Sequence, residues 1–240
     1  MHTPLPNAFY CVKSPIGFLA RQAFSYFGSC PLGFSAQFGA CVPVLPLGKG
    51  EAMAFCRCTV LLQTKRLLLR RFTPADANWI WQRWAGDPIA TRFVRWNPHP
   101  TAADTAALVK SWCFAYEEEP DYYNWAIVLS GTDEPIGSIG LSQPDGRPEL
   151  GFILGQRWWG KGYAAEAALA VCHFLHTKAG ISVIYARHAA ENTACGRALE
   201  KAGFSYYHTE DCYSFDHTRP FHCRVMVHKA ENKENYGTGI

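Results

Sequence analysis

The segment ELGFILGQRWWGKGYAA, residues 149–165, restricts the fold of this chain more than any other. Leu150 to Leu154 is an apolar run ended by Gly155, which reads as a buried strand. Gln156 to Gly162 then supplies a turn rich in glycine and basic residues. A helix follows with no linker: Ala164, Ala167, Ala168, Val171 and Leu175 recur at helical spacing, and Gly180 stops the run. Val183 to Arg187 is the next strand. A helix crossing between two strands makes those strands parallel neighbours. The turn also has a chemical meaning. The start of a helix presents N–H groups without internal partners and the positive end of its dipole. Gly160 and Gly162 let a bulky anion approach that backbone, and Arg157 and Lys161 add positive charge. A phosphate-bearing ligand is the first expectation.

The remaining elements are equally legible. Leu67 to Phe72 reads as a strand. Thr73-Pro74-Ala75-Asp76 and Thr101-Ala102-Ala103-Asp104 read as helix starts with capping boxes. The first helix would bury Ala77, Ile80, Trp81 and Trp84; the second Thr105, Leu108, Val109, Trp112 and Tyr116. Asn124 to Leu129, Pro135 to Ser142 and Glu149 to Leu154 are strands separated by turn residues, hence antiparallel hairpins. Asn192 caps a short helix over 193–202 that Gly203 ends. Two last strands run near 204–213 and 219–228. The order is β-α-α-β-β-β-α-β-α-β-β. This predicts an α/β (α+β) domain with about seven strands and four helices.

Gly160-Lys161-Gly162-Tyr163-Ala164-Ala165 formally fits the dinucleotide-binding pattern G-x-G-x-x-G/A. That pattern needs an acidic residue about 20 positions further on to hold a ribose. No Asp or Glu lies between Glu166 and Glu191. An NAD(P)-dependent oxidoreductase is therefore the weaker reading.

Arg157-Trp158-Trp159-Gly160-Lys161-Gly162 instead resembles the R/Q-x-x-G-x-G/A signature of the GNAT superfamily of N-acyltransferases. Ala186 to Asn192 and Arg197 to Phe204 match its later blocks. Thr64-Lys65-Arg66-Leu67-Leu68-Leu69-Arg70 and Trp158 to Tyr163 resemble the RimJ/RimL branch, which contains ribosomal-protein N-acetyltransferases. The resemblance implies a mostly antiparallel GNAT sheet whose two central parallel strands splay apart to admit acetyl-CoA. It implies a pantetheine arm paired with the backbone of Phe152, Ile153 and Leu154, a pyrophosphate over Arg157, Gly160, Lys161, Gly162, Tyr163 and Ala164, and a contact from Asn192. Glu149 stands where relatives place a water-mediated base. Cys195 stands where they often carry serine, as a proton donor, a nucleophile or a packing residue; Tyr206 and Tyr207 are alternative donors. His188 and His173 are weaker candidate bases. Trp96 and Tyr122 would line the acceptor's entrance. The acceptor is a peptide N-terminus or a small-molecule amine. A non-catalytic acyl-CoA-binding domain is the alternative from another class.

Composition limits the rest. A hydrophobic content of 48% fits a globular core, and a net charge of +3 is too small for a nucleic-acid footprint. No run of about 18 apolar residues suggests a membrane span. The 10 cysteines form no C-x-x-C pair, so no metal is expected, and reduced thiols in a cytoplasmic monomer or homodimer are. Residues 1–60 read as an irregular extension: Pro4, Pro6, Pro15, Pro31, Pro43 and Pro46 interrupt any element, and no acidic residue precedes Glu51. Mitochondrial targeting is the competing reading of 1–52, although only Lys13, Arg21 and Lys49 are basic there. The domain would span 61–229, with a polar tail over 230–240.

Overall fold

The computed structural model describes residues 58–230. The expectations for 1–57 and 231–240 lie outside the described residues. The strands are β1 (Leu62–Gln63), β2 (Leu67–Arg70), β3 (Tyr123–Leu129), β4 (Pro135–Ser142), β5 (Glu149–Leu154), β6 (Val183–Ala189), β7 (Ser205–Tyr213) and β8 (Pro220–Lys229). The α-helices are α1 (Ala77–Ile80), α2 (Ala102–Glu118), α3 (Tyr163–Thr177) and α4 (Thr193–Lys201). All described strands join one sheet, ordered β1-β2-β3-β4-β5-β6-β8-β7. Every neighbouring pair is antiparallel except β5–β6, as the crossover through α3 requires. The sheet thus gains the two-residue β1 over the expected set, and β8 lies between β6 and β7.

Alternation along the strands builds two cores. On β3, Trp125 and Ile127 face the layer of α3 and α4, while Ala126 and Val128 face α1 and α2. Val171, Leu175 and Leu199 close the first core; Ile80, Trp84, Val109 and Trp112 close the second. Each large aliphatic side chain removed from water contributes about 1.5–3 kcal/mol. Both expected capping boxes form. Asp104 Oδ2 accepts from Thr101 N–H at 2.9 Å, and Asp76 Oδ2 accepts from Thr73 N–H at 2.8 Å.

β2 ends earlier than expected. Phe72 turns into the second core, and its N–H donates to Tyr116 Oη at 3.1 Å. Thr59 is tied to the start of β3: its hydroxyl donates to Tyr122 O at 2.7 Å and accepts from Asn124 N–H at 3.0 Å. The thiol expectation needs one correction. Cys113, Cys172 and Cys195 are free thiols, but Cys212 and Cys223 form a disulfide. The β7–β8 register causes this. Glu210 faces Cys223 and Cys212 faces Phe221, which leaves the two cysteines on one diagonal with Cα atoms 6.4 Å apart.

Candidate active site

The parallel strands stay paired only at their start. Glu149 faces Tyr185 and Leu150 faces Ala186; beyond them β5 and β6 continue without pairing to each other. Strand parity decides which backbone groups line the resulting gap. Gly155 N–H donates to Ile136 O at 3.0 Å, so the odd-numbered residues of this stretch direct their backbone to β4. Tyr185 N–H donates to Pro148 O at 2.8 Å, so the even-numbered residues face β6. Phe152 and Leu154 therefore present N–H groups to the gap. Ile153 does not: its carbonyl points to β4, where a Cβ on Gly137 would stand 2.3 Å from it. The Leu154 carbonyl is also taken, by the Trp159 indole N–H at 2.7 Å.

At the end of β5, Gln156–Trp158 makes a single 3-10 turn and the chain reverses into α3. Gly160 has φ +71° and Gly162 φ +81°, the left-handed region that favours glycine. A Cβ on Gly160 would meet nothing within 4 Å, so this residue faces open space. Gly162 is the N-cap of α3, and no side chain caps that end. The first backbone bond of the helix runs from Glu166 N–H to Gly162 O at 3.1 Å. The N–H groups of Tyr163, Ala164 and Ala165 thus lie at the positive end of a 15-residue helix without an intrahelical acceptor. Arg157 and Lys161 are exposed beside them.

Glu149 lies on the opposite face of the sheet from α3. Its Oε2 accepts from Arg187 Nη2 at 3.0 Å. Arg187 Nε lies 3.0 Å from Glu210 Oε1, near enough for an ion pair but off the line of a hydrogen bond. A carboxylate, a guanidinium and a second carboxylate thus cross the sheet from β5 to β7. Burial pushes the Glu149 carboxyl above the usual carboxylate range, and Arg187, Arg95 and Arg147 offset that only in part.

The loop between α1 and α2 is fastened to the β7–β8 hairpin beside this row. Arg219 donates to Arg92 O, Val94 O and Trp96 O at 3.2, 3.1 and 2.9 Å. Arg95 Nε donates to Tyr213 O at 2.7 Å, and Phe215 N–H donates to Arg95 O at 2.7 Å.

Asn192 caps α4 as expected, its Oδ1 accepting from Cys195 N–H at 3.2 Å. Cys195 packs against the main core, and burial pushes its thiol up to about 12. Such a thiol is protonated at neutral pH and supplies no thiolate. Trp96 and Tyr122 do not form an open wall. Both are 8% exposed and belong to the core under α1 and α2, Trp96 beside His99 and Tyr122 against Tyr116. Burial of the large apolar ring has prevailed at both positions. His188 is buried against Gly196, and burial pushes its pKa down. His173, Tyr206 and Tyr207 are exposed.

Residues 66–205 match the family model described as the acetyltransferase (GNAT) domain. The chain belongs to the GNAT acetyltransferase family. It is 30% identical over 146 residues to the uncharacterized N-acetyltransferase p20 of Bacillus licheniformis, covering 60% of this chain and 81% of that protein. It is 28% identical over 168 residues to the N-acetyltransferase YoaA of Bacillus subtilis, covering 69% and 94%. Among solved structures, a GNAT-family acetyltransferase from Bacillus anthracis superposes with TM-score 0.62 at 22% identity, over 72% of this chain and all of that one. The ribosomal L7/L12 α-N-protein acetyltransferase RimL, solved with coenzyme A, shares the fold at TM-score 0.58 and 12% identity, over 71% and 98%. The oxidoreductase reading is thereby set aside.

In this GNAT acetyltransferase, residue-by-residue reading missed Arg187, the partner of Glu149, Glu210, which pairs in turn with Arg187, and Arg66, which lies under the turn that leads into α3. Glu210 and Arg66 belong to other elements than the residues they serve. The one available signal was charge on the strand next to β5: Arg187 stands in a run otherwise free of acid and base from Ile181 to Ala186.

Proposed function

We propose that this enzyme transfers an acetyl group from acetyl-CoA to a primary amine, on a protein N-terminus or a small molecule, by direct attack in a ternary complex. One observation carries the reading: an uncapped helix start at Gly162, opening beside two strands that part after Leu150. The turn suits a diphosphate because Gly160 leaves the space a Cβ would fill and the first-turn amides of α3 lack acceptors. The gap suits an extended amide-bearing arm because Phe152 and Leu154 offer backbone donors to it. Asn192 has its oxygen in the cap and retains its amide nitrogen for that arm. When bound, acetyl-CoA supplies the acyl group as a thioester.

The chain's residues do the rest. The Phe152 and Leu154 amides orient the arm and polarise a carbonyl placed near them. Glu149, raised by burial toward the pH at which amines react, takes the ammonium proton through water. Arg187 holds the Glu149 carboxylate in place. Cys195 serves as packing under α4. The activity resides in one domain, about residues 61–229.

The test is turnover with acetyl-CoA, followed by thiol release, on a panel of peptides with free N-termini and of small amines. The expected result is saturable, acceptor-dependent release. Tight binding of acetyl-CoA with no turnover on any acceptor would instead make the chain an acyl-CoA-binding protein.

A further inference from the structure

Arg66 sits at the start of β2, far from the phosphate turn in sequence and directly beneath it in space. Its Nη1 donates to Lys161 O at 3.0 Å. Its Nε and Nη2 reach Glu166 Oε2 at 2.7 and 2.6 Å. Glu166 Oε1 accepts from Thr64 Oγ1 at 2.7 Å and from Arg66 N–H at 3.0 Å. The Thr64 hydroxyl in turn accepts from Leu67 N–H at 2.9 Å, which ties the cluster to β2. The guanidinium also lies 4.6 Å from the Tyr163 ring centroid, and its Nη2 would stand 3.5 Å from a Cβ on Gly162.

A peptide unit is planar and trans, so a carbonyl and the N–H of the next residue point in opposite directions. Arg66 draws the Lys161 carbonyl down toward β2. The Gly162 N–H is thereby turned to the outer side of the turn. Without that tie the peptide is free to rotate and present an oxygen where an anion would bind. Glu166 raises a second difficulty, because a carboxylate in the first turn of α3 would repel a diphosphate. Pairing with Arg66 and Thr64 directs that charge away from the turn.

We propose that Arg66, braced by Glu166 and Thr64, is a positioning residue that sets the outward face of the phosphate-binding turn. This rests on the acetyl-CoA reading above. Two donors separate the two claims: acetyl-CoA, and S-acetylpantetheine, which carries the same thioester without the diphosphate. Wild type, Arg66→Ala and Arg66→Lys are compared on one amine. Wild type should prefer acetyl-CoA. Arg66→Ala should lose about ten- to a hundredfold of that preference through KM for acetyl-CoA, the range of one charge-assisted hydrogen bond. Arg66→Lys should recover only part, because one ammonium does not span Lys161 O and Glu166 together as a fork does. If Arg66→Ala fails to fold, Glu166→Gln, which keeps the Thr64 hydrogen bond, gives the same readout. A variant that melts like wild type and keeps the full preference overturns the positioning role. A wild type indifferent to the two donors overturns the diphosphate cradle itself.

Discussion

Residues 155–166 present main chain to the solvent, whereas the face holding Glu149, Arg187 and Glu210 presents side chains already committed to one another. On the proposed function, the turn recognises its ligand with amides whose direction follows from two left-handed glycines and a helix start. On that reading any ligand with a diphosphate can use them, whatever acyl group or acceptor it serves. The other face holds three charged groups from three strands, beside a loop pinned by Arg219, and on the proposed function it receives the acceptor. Changing any one of those side chains changes what the face attracts. On that proposal donor binding is lodged in backbone shape, and acceptor choice in side-chain placement.

That division predicts effects of different size and kind. The largest belongs to the turn. Gly162→Glu puts a carboxylate at the N-cap and a Cβ at φ +81°. Acetyl-CoA affinity, measured by titration calorimetry, should fall more than about a hundredfold, because the new carboxylate both occupies the space before the first-turn amides and repels the diphosphate. The left-handed conformation costs roughly 1–2 kcal/mol, a Tm loss of about 2–8 °C. Unchanged affinity in a folded variant would remove the distinction drawn above.

The next effect is on the acceptor side. Glu149→Gln should lower kcat about a hundredfold, the usual worth of a general base, and leave acetyl-CoA affinity within about threefold. The sign of its pH dependence follows from burial. The base form appears only as pH rises through a pKa held above the usual carboxylate range of about 4.3. The kcat/KM profile should therefore carry an acid limb above that range, which the variant lacks, while the amine's own limb persists. A limb unmoved by Glu149→Gln would transfer the base role to another group.

The smallest effect should be Cys195→Ser. A thiol pushed up to about 12 is neither a ready acid nor a nucleophile at neutral pH, so turnover should stay within about threefold of wild type. Complete loss with intact folding would establish a covalent thiol route and move Cys195 from the core to the chemistry.

The sequence discloses local geometry far better than encounters between distant segments. β5, the turn and α3 are contiguous, so strand length, glycine placement and helical spacing appear in one short window. The same holds for the Asn192 cap and the capping boxes at Thr73 and Thr101. Three things required the register of other strands. Which edge the Ile153 backbone faces follows from its pairing with β4 and not from the apolar run itself. Cys212 and Cys223 meet because a hairpin brings them onto one diagonal. Arg187 reaches Glu149 from the neighbouring strand, and Glu210 reaches Arg187 from β7 across β8. Trp96 and Tyr122 teach the complementary lesson. An aromatic residue near a cleft in sequence order faces inward when the core below it offers enough apolar contact.

The most direct test of the central claim is a crystal structure of the full chain with coenzyme A. The account predicts the diphosphate within hydrogen-bond distance of the amides between Gly160 and Ala165, and the pantetheine arm bonded to Phe152 and Leu154 but not to Ile153. A diphosphate bound away from that helix start, or an arm that avoids the gap between β5 and β6, would contradict it.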